Sequence, residues 1–335
     1  MLTLGIIGYG YWGTNLVRNF NNYPLCRVAK VADARQERRA FLEKNYPAIQ
    51  AVRQAEEIIG DTGIDAVVIA TPVYSHYPLA KAALISGKHV MVEKPMAAST
   101  AEAEELIEIA AQKHLTLMVD HTFLYTGAVQ KIKSLIEADT IGIPRYFDST
   151  RINLGLFQPD INVLWDLAPH DISMLTFLIN ERPYSINATG VSHTRNGIEN
   201  IAYMTVNYEH DFIAHFNCSW TSPVKIRQTL IGGDAKMIVY NDLEASEKVR
   251  VYDTGYTHTT EEDQFNIRVD YRTGDVFIPK ISGNEALGGV ADDFVRSVLE
   301  QRQPLSSAAL GLEVVKILEA SQVSIRNKGK EVLIK

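Results

Sequence analysis

The sequence is poor in the features that mark several protein classes. It has two cysteines in 335 residues, Cys26 and Cys218. They are too few and too far apart for a disulfide framework, so the chain reads as one that works in a reducing cytoplasm. No apolar run approaches the ~18 residues that a membrane-spanning helix needs. No basic segment precedes the apolar start MLTLGIIG, which therefore reads as a first strand and not as a secretory leader. A basic excess is missing too: 33 Lys and Arg against 40 Asp and Glu give a net charge of −7. That balance argues against nucleic acid or an anionic membrane as a main partner. The histidines are scattered, with no H-x-x-x-H or C-x-x-C pair, so no metal site is expected. No internal repeat, low-complexity tract or long linker interrupts the chain.

What is there is strong alternation. The length exceeds what one core usually organises, so two domains are expected, 1–121 and 122–335. LTLGIIGYGYWGTNLVRNF opens with a strand, then places Gly8, Gly10 and Gly13 in G-x-G-x-x-G spacing at the start of a helical pattern. The first glycine permits a tight turn, the second lets a phosphate approach the backbone, and the third lets helix and strand pack closely. The helix amino terminus then offers free N–H groups to a pyrophosphate. Tyr11 and Trp12 lie inside this motif. The next strand ends at Asp33, where spacing and position favour a carboxylate that accepts hydrogen bonds from ribose hydroxyls over one that merely caps the following helix. A carboxylate there repels a 2′-phosphate, so NAD is favoured over NADP; Arg35, two residues on, weakens that preference.

IDAVVIATPVYSHYPLAKAALISGKHVMVEKP, STAEAEELIEIAAQKH and LTLMVD continue strand, helix, strand. The fold class is therefore α/β, beginning with a doubly wound parallel sheet whose ligand lies at the carboxyl ends of the strands. Ala70, Thr71, Pro72, His76, Glu93, Lys94 and Asp120 fall at or just past such ends, and the first six are candidates for the cofactor wall. After Asp120 short alternating runs separated by hairpin-length gaps point to an antiparallel meander, and two helices close the chain.

GYGYWG, Asp33, ATPVYSH, EKP at 93–95 and D-x-x-x-H at 166–170 together resemble the glucose-fructose oxidoreductase / inositol dehydrogenase / MocA family of NAD(P)-dependent sugar dehydrogenases. The likeness covers most of the chain, including the final helix SAALGLEVVKILEASQVS. The glycine motif is unspecific; EKP together with D-x-x-x-H at this separation is not. The resemblance implies a Rossmann domain followed by an α/β domain with a large open, mostly antiparallel sheet. That sheet often forms a subunit interface, which implies a homodimer or homotetramer. It also implies that Lys94, Asp166 and His170 meet the substrate hydroxyl beside the nicotinamide. Many relatives have a glycine-rich lead-in to the histidine motif, where this chain has NVLWDLAPHD. Trp165 next to Asp166 resembles the branch acting on nucleotide-linked sugars, among them UDP-N-acetylglucosamine 3-dehydrogenases.

The chemistry suits those residues. Oxidising an alcohol removes a hydroxyl proton while a hydride leaves carbon for the nicotinamide. Histidine, with an ordinary pKa near 6.5, fits the base. Pro169 is expected in the first turn of a helix, which would put His170 near its positive end and keep the imidazole neutral. Lys94 would favour the developing alkoxide, and Asp166 would hold a sugar hydroxyl or bias the histidine tautomer. Asp166 could also be a plain helix cap, and His170 a core histidine. Arg151 and Asn153 are candidates to read sugar hydroxyls or a diphosphate, and Lys225 and Arg227 are further phosphate candidates. His121 and Tyr125 would border the substrate. Trp165 is either a stacking platform or core. The expected function is an NAD-dependent dehydrogenase of a sugar or nucleotide sugar; a dehydrogenase of a free polyol such as myo-inositol and a non-catalytic dinucleotide-binding regulator are the alternatives.

Overall fold

The computed structural model describes residues 1–257 and 270–334. Two compact units form, one from Met1–Thr126 with Asn284–Lys316, the other from Gly127–Gly283 with Ile317–Lys335. In the first, β1 (Leu2–Ile7), α1 (Tyr11–Asn22), β2 (Cys26–Ala32), α2 (Gln36–Asn45), β3 (Gln50–Val52), α3 (Glu56–Ile59), β4 (Ala66–Ile69), α4 (His76–Ile85), β5 (His89–Glu93), α5 (Thr100–Gln112) and β6 (Leu117–Asp120) alternate along the chain. The strands stand in the order β3-β2-β1-β4-β5-β6, all parallel. Continuous apolar runs explain this: β4 and β6 are buried on both faces, as only a sheet covered by helices allows. The strand order reverses between β1 and β4, so the loops after those strands part there and leave a crevice. Ser99 caps α5 by accepting from Glu102 N at 3.3 Å, and Glu102 Oε2 accepts from Ala98 N at 3.0 Å.

The second unit contains α6 (Gly127–Glu137), β7 (Pro144–Leu154), α7 (Val163–Leu178), β8 (Pro183–Val191), β9 (Ile201–Tyr208), β10 (Ile213–Ser219), β11 (Thr221–Gly233), β12 (Met237–Asn241), β13 (Val249–Tyr252), β14 (Gly255–Thr257), β15 (Asp270–Arg272) and β16 (Val276–Phe277). With β17 (Val332–Leu333), nine of these strands form one sheet in the order β16-β13-β12-β11-β7-β10-β9-β8-β17. It is mostly antiparallel but not a meander: β7 lies between the consecutive strands β10 and β11 and runs parallel to β10. Strand alternation assigns the faces. Ala202, Met204 and Val206 with Ala214, Phe216 and Cys218 form the inner face, against which α7 packs. Tyr203 and Ile213 stand exposed on these strands, and Tyr146 on β7.

The helices that close the chain are α8 (Ala286–Glu300) and α9 (Ala308–Arg326). A single boundary near residue 121 does not describe the packing, because α8 returns to the first unit. Its Val290, Ala291, Phe294 and Val295 share one core with Leu16, Val17 and Phe20 of α1 and with β1 and β2. Phe20 meets Phe294 edge-on at 6.2 Å between ring centroids. Sequence alternation cannot report such a return, since it carries no long-range pairing.

Candidate active site

The glycine loop is built for close approach. Gly8 has φ +97°, and a Cβ there would lie 2.4 Å from Ala70 O; a Cβ on Gly13 would lie 2.1 Å from Gly8 O. Both positions therefore need glycine, the second so that α1 can seat against the loop. Gly10 is the N-cap of α1, offers no side-chain cap, and a Cβ there would meet only Arg35 Nη2, at 3.8 Å. Free N–H groups at a helix start, with room before them, fit a pyrophosphate. Tyr11 and Trp12 are exposed beside this loop, their rings edge-on at 5.3 Å.

Asp33 closes the second strand and is buried. Its Oδ2 accepts from Tyr9 N at 2.9 Å, which ties the glycine loop to β2. Arg35 grips both oxygens, Nε to Oδ1 at 2.9 Å and Nη2 to Oδ2 at 2.8 Å. Burial pushes this carboxyl up, but Arg35 and the two backbone N–H groups outweigh it and hold it at about 2. So Asp33 is ionised and Arg35 stands directly on it, where both would face an adenosine ribose.

At the ends of β4, β5 and β6 a buried polar cluster forms. His76 lies between two backbone carbonyls, Nδ1 2.8 Å from Pro95 O and Nε2 2.7 Å from Thr71 O; as a neutral imidazole it donates to one of them, at the junction of the turn after β4 and the EKP turn. Burial is the main cause that pulls its pKa down, and Lys94 adds to it. Thr71 Oγ1 accepts from Ser75 at 2.7 Å, while Pro72 is exposed. Glu93 and Asp120 are register partners on β5 and β6. Glu93 Oε2 accepts from Lys94 N at 3.3 Å, and Asp120 Oδ1 from the Thr122 hydroxyl at 2.8 Å. Burial raises both carboxyls, Glu93 well above its ordinary value and Asp120 to about 6, while the Lys94 charge opposes both shifts. His121 is 1 % exposed, and neither ring nitrogen has a hydrogen-bond partner among the described residues. Burial, then Lys94, pushes it down to about 3, so it is neutral. Tyr125 donates to Asp293 Oδ2 at 2.7 Å and accepts from Ser306 N at 3.2 Å, which gives its hydroxyl a bracing task between α8 and the segment after it.

The second unit carries the D-x-x-x-H pair on α7. Two expectations change here. The helix begins at Val163, capped by Asn162, whose side chain accepts from Trp165 N at 3.1 Å. Pro169 is thus inside the helix and His170 is its eighth residue, counting from Val163. The helix dipole acts mainly on the first turn, so it is no reason for a neutral His170. Asp166 is not the cap either; its Oδ2 accepts from the indole Nε1 of Trp220 at 2.9 Å. Asp166 and His170, four apart, share one face of the helix.

Arg151, expected to read substrate, is 3 % exposed and forms a bidentate pair with Asp171, both contacts at 2.7 Å. That pair pins β7 to α7 at the residue after His170, a positioning task. Arg227 bonds Asp242 at 3.3 Å, Lys225 is exposed and Asn153 is half-buried near the end of β7. Trp165 is buried and belongs to the core of this unit. Sequence reading missed Trp220, Asp171 and Asn162. For Asn162 a signal existed, an Asn immediately before an apolar helical run; for the other two nothing local marked the partner. Among the described residues no group of three His, Cys, Asp or Glu is placed to hold a metal ion, and no helix is long and apolar enough to cross a membrane.

Comparison with known proteins gives the family and the fold. Residues 2–121 match the oxidoreductase family with an NAD-binding Rossmann fold, and residues 129–239 the C-terminal domain of the same GFO/IDH/MocA group. The chain belongs to the Gfo/Idh/MocA family, and its first unit is an NAD-binding Rossmann domain. UDP-N-acetylglucosamine 3-dehydrogenase from Acidithiobacillus ferrooxidans is 30 % identical over 207 residues, 61 % of this chain and 63 % of that protein. Its crystal structure aligns with a TM-score of 0.81 at 22 % identity, over 98 % of this chain and 99 % of that one. Levoglucosan dehydrogenase in complex with NADH and levoglucosan aligns at TM-score 0.83 and 22 % identity, over 99 % of each chain. At such identities the structural likeness speaks for the fold. The stretches matched in the first curated relatives span 51 to 63 % of their length.

Proposed function

We propose that this protein is an NAD-dependent oxidoreductase that moves a hydride between a ring hydroxyl or ketone of a sugar or nucleotide sugar and nicotinamide. The observation that carries the reading is the setting of Lys94. It follows the end of β5, its charge acts on Glu93, Asp120, His121 and His76, and the carboxyl ends of strands are where a doubly wound sheet binds ligand. The residues of the glycine loop and Asp33 fit a dinucleotide, and the bound nicotinamide supplies the hydride acceptor. Lys94 then donates a hydrogen bond to the reacting hydroxyl oxygen and stabilises the alkoxide. His170 takes the hydroxyl proton. Asp166, oriented by Trp220, holds a neighbouring hydroxyl or the histidine. Asp33 favours NAD over NADP, since its carboxylate opposes a 2′-phosphate.

The nucleotide-sugar branch is the preferred substrate class, supported by the Trp165–Asp166 motif and by what the Acidithiobacillus ferrooxidans relative is named for. The exposed face of the nine-stranded sheet, with Tyr146, Tyr203 and Ile213, suits a homodimer or homotetramer, and the setting is cytoplasmic. The experiment is a screen of nucleotide sugars and free polyols by NADH absorbance, run also as a single-turnover scan in case the cofactor stays bound. UDP-N-acetylglucosamine is expected to reduce NAD, and Lys94→Ala and His170→Ala are expected to remove that while dinucleotide binding persists. Turnover of myo-inositol alone would move the substrate class to polyols. Failure of every substrate, with NAD bound tightly, would favour a regulator.

A further inference from the structure

Two carboxyl groups in the first unit have no task in the reaction just described. Glu93 and Asp120 are paired across parallel strands, so their side chains leave the same face of the sheet, on strands ~4.8 Å apart. Glu93 is 8 % exposed and Asp120 1 %. One oxygen of Glu93 accepts from Lys94 N, one oxygen of Asp120 accepts from Thr122, and Asp120 Oδ2 has no partner among the described residues. Two carboxylates this close and this dry are costly to ionise together. The titratable groups around them are His121, neutral and with both ring nitrogens unpartnered among the described residues; His76, between the carbonyls of Thr71 and Pro95; Tyr125, which donates to Asp293; and Lys94, the cation that acts on both carboxyls. Two carboxylates against that ammonium leave a net negative charge buried; one proton between them leaves the cluster neutral.

We propose that Glu93 and Asp120 hold a single proton between them, and so face the Lys94 ammonium with one negative charge in place of two. The pair positions Lys94 and keeps it charged. Its importance for turnover rests on the reading of Lys94 above; its existence does not. An unpaired Asp120 oxygen is where the shared proton, or the hydrogen bond it makes, would reside. Replacing either acid by its amide leaves one carboxylate beside Lys94; replacing both leaves none.

Infrared spectroscopy of the full chain tests this without substrate, because a protonated carboxyl and a carboxylate absorb at different frequencies. At about pH 7, where ordinary carboxyls are ionised, the wild-type protein is expected to show one protonated carboxyl. Glu93→Gln and Asp120→Asn are each expected to lose it. Titration of the wild-type band gives the same answer should a variant fail to fold: one group is expected to deprotonate above the usual carboxyl range. Absence of the band in the wild type, or its survival in either single variant, overturns the proposal. Turnover is a second readout. The double variant is expected at least about a hundredfold below either single one, with the pH profile of kcat displaced; a double variant equal to the singles contradicts a positioning role. Lys94→Met with near-normal turnover would sink the catalytic reading and leave the infrared result untouched, so the two failures are distinct.

Discussion

The strand ends of the first unit and helix α7 of the second handle buried charge in opposite ways. On α7 and its sheet, charge is closed: Arg151 and Asp171 are bidentate, and Asp166 takes the Trp220 indole. At the ends of β5 and β6 it is left open: among the described residues Asp120 Oδ2 and both nitrogens of His121 lack partners, and two carboxyls crowd one lysine. A buried polar group without a partner costs stability. Such a cost persists where a site is shaped for something other than stability, which is why perturbed groups gather at functional positions. The closed pair ties α7 to β7; the open cluster is where the proposals above place a ligand and a shared proton.

The largest expected effect breaks the closed side. Arg151→Met leaves Asp171 buried without its cation and should destabilise the protein by about 3–5 kcal/mol, read by urea unfolding. A loss below about 1 kcal/mol would mean the pair is not the anchor of α7.

Next comes the open side, where removing a buried ionisable carboxyl should help. The folded value of Asp120, about 6, lies above its ordinary 3.8. Folding therefore takes up a proton between those pH values. The contribution of this group is fully favourable below about 4 and is lost as pH rises through about 6. Asp120→Asn should flatten that slope and stabilise the protein above pH 6 by about 1–3 kcal/mol, measured as Tm against pH. Lower stability at every pH would remove the contrast between the two regions.

Smaller effects sharpen it. Trp220→Phe removes the indole donor while keeping a ring against Phe157, and should cost about 1–2 kcal/mol with a larger loss in turnover than in NAD affinity. Arg35→Ala should raise the ratio of NAD to NADP affinity by about tenfold, since it removes the guanidinium on the Asp33 carboxylate that suits a 2′-phosphate. An unchanged ratio would leave Asp33 alone in setting the preference.

What the sequence disclosed follows the range of its signals. Gly8, Gly10 and Gly13, the strand ends and the i, i+4 spacing of Asp166 and His170 are local patterns, and they stand where the periodicity puts them. Pro169 misled about the helix start, because proline prefers a first turn, yet Asn162 caps the helix seven residues earlier. Trp220 reaches Asp166 across 54 positions and Arg151 reaches Asp171 across 20, pairings that no spacing encodes. The neighbourhood of Glu93 and Asp120 exists only through strand register, and Arg151 looked like a surface reader because charge alone says nothing about burial.

The proposed function has Lys94 and His170 act on one hydroxyl. A double-mutant cycle on single-turnover NAD reduction tests it most directly, with Lys94→Met, His170→Ala and the two combined. Residues that act as a unit are not additive, so the combined variant should lose little more than the worse single one, with dinucleotide affinity retained in all three. Losses that multiply, or near-normal reduction in either single variant, would contradict it.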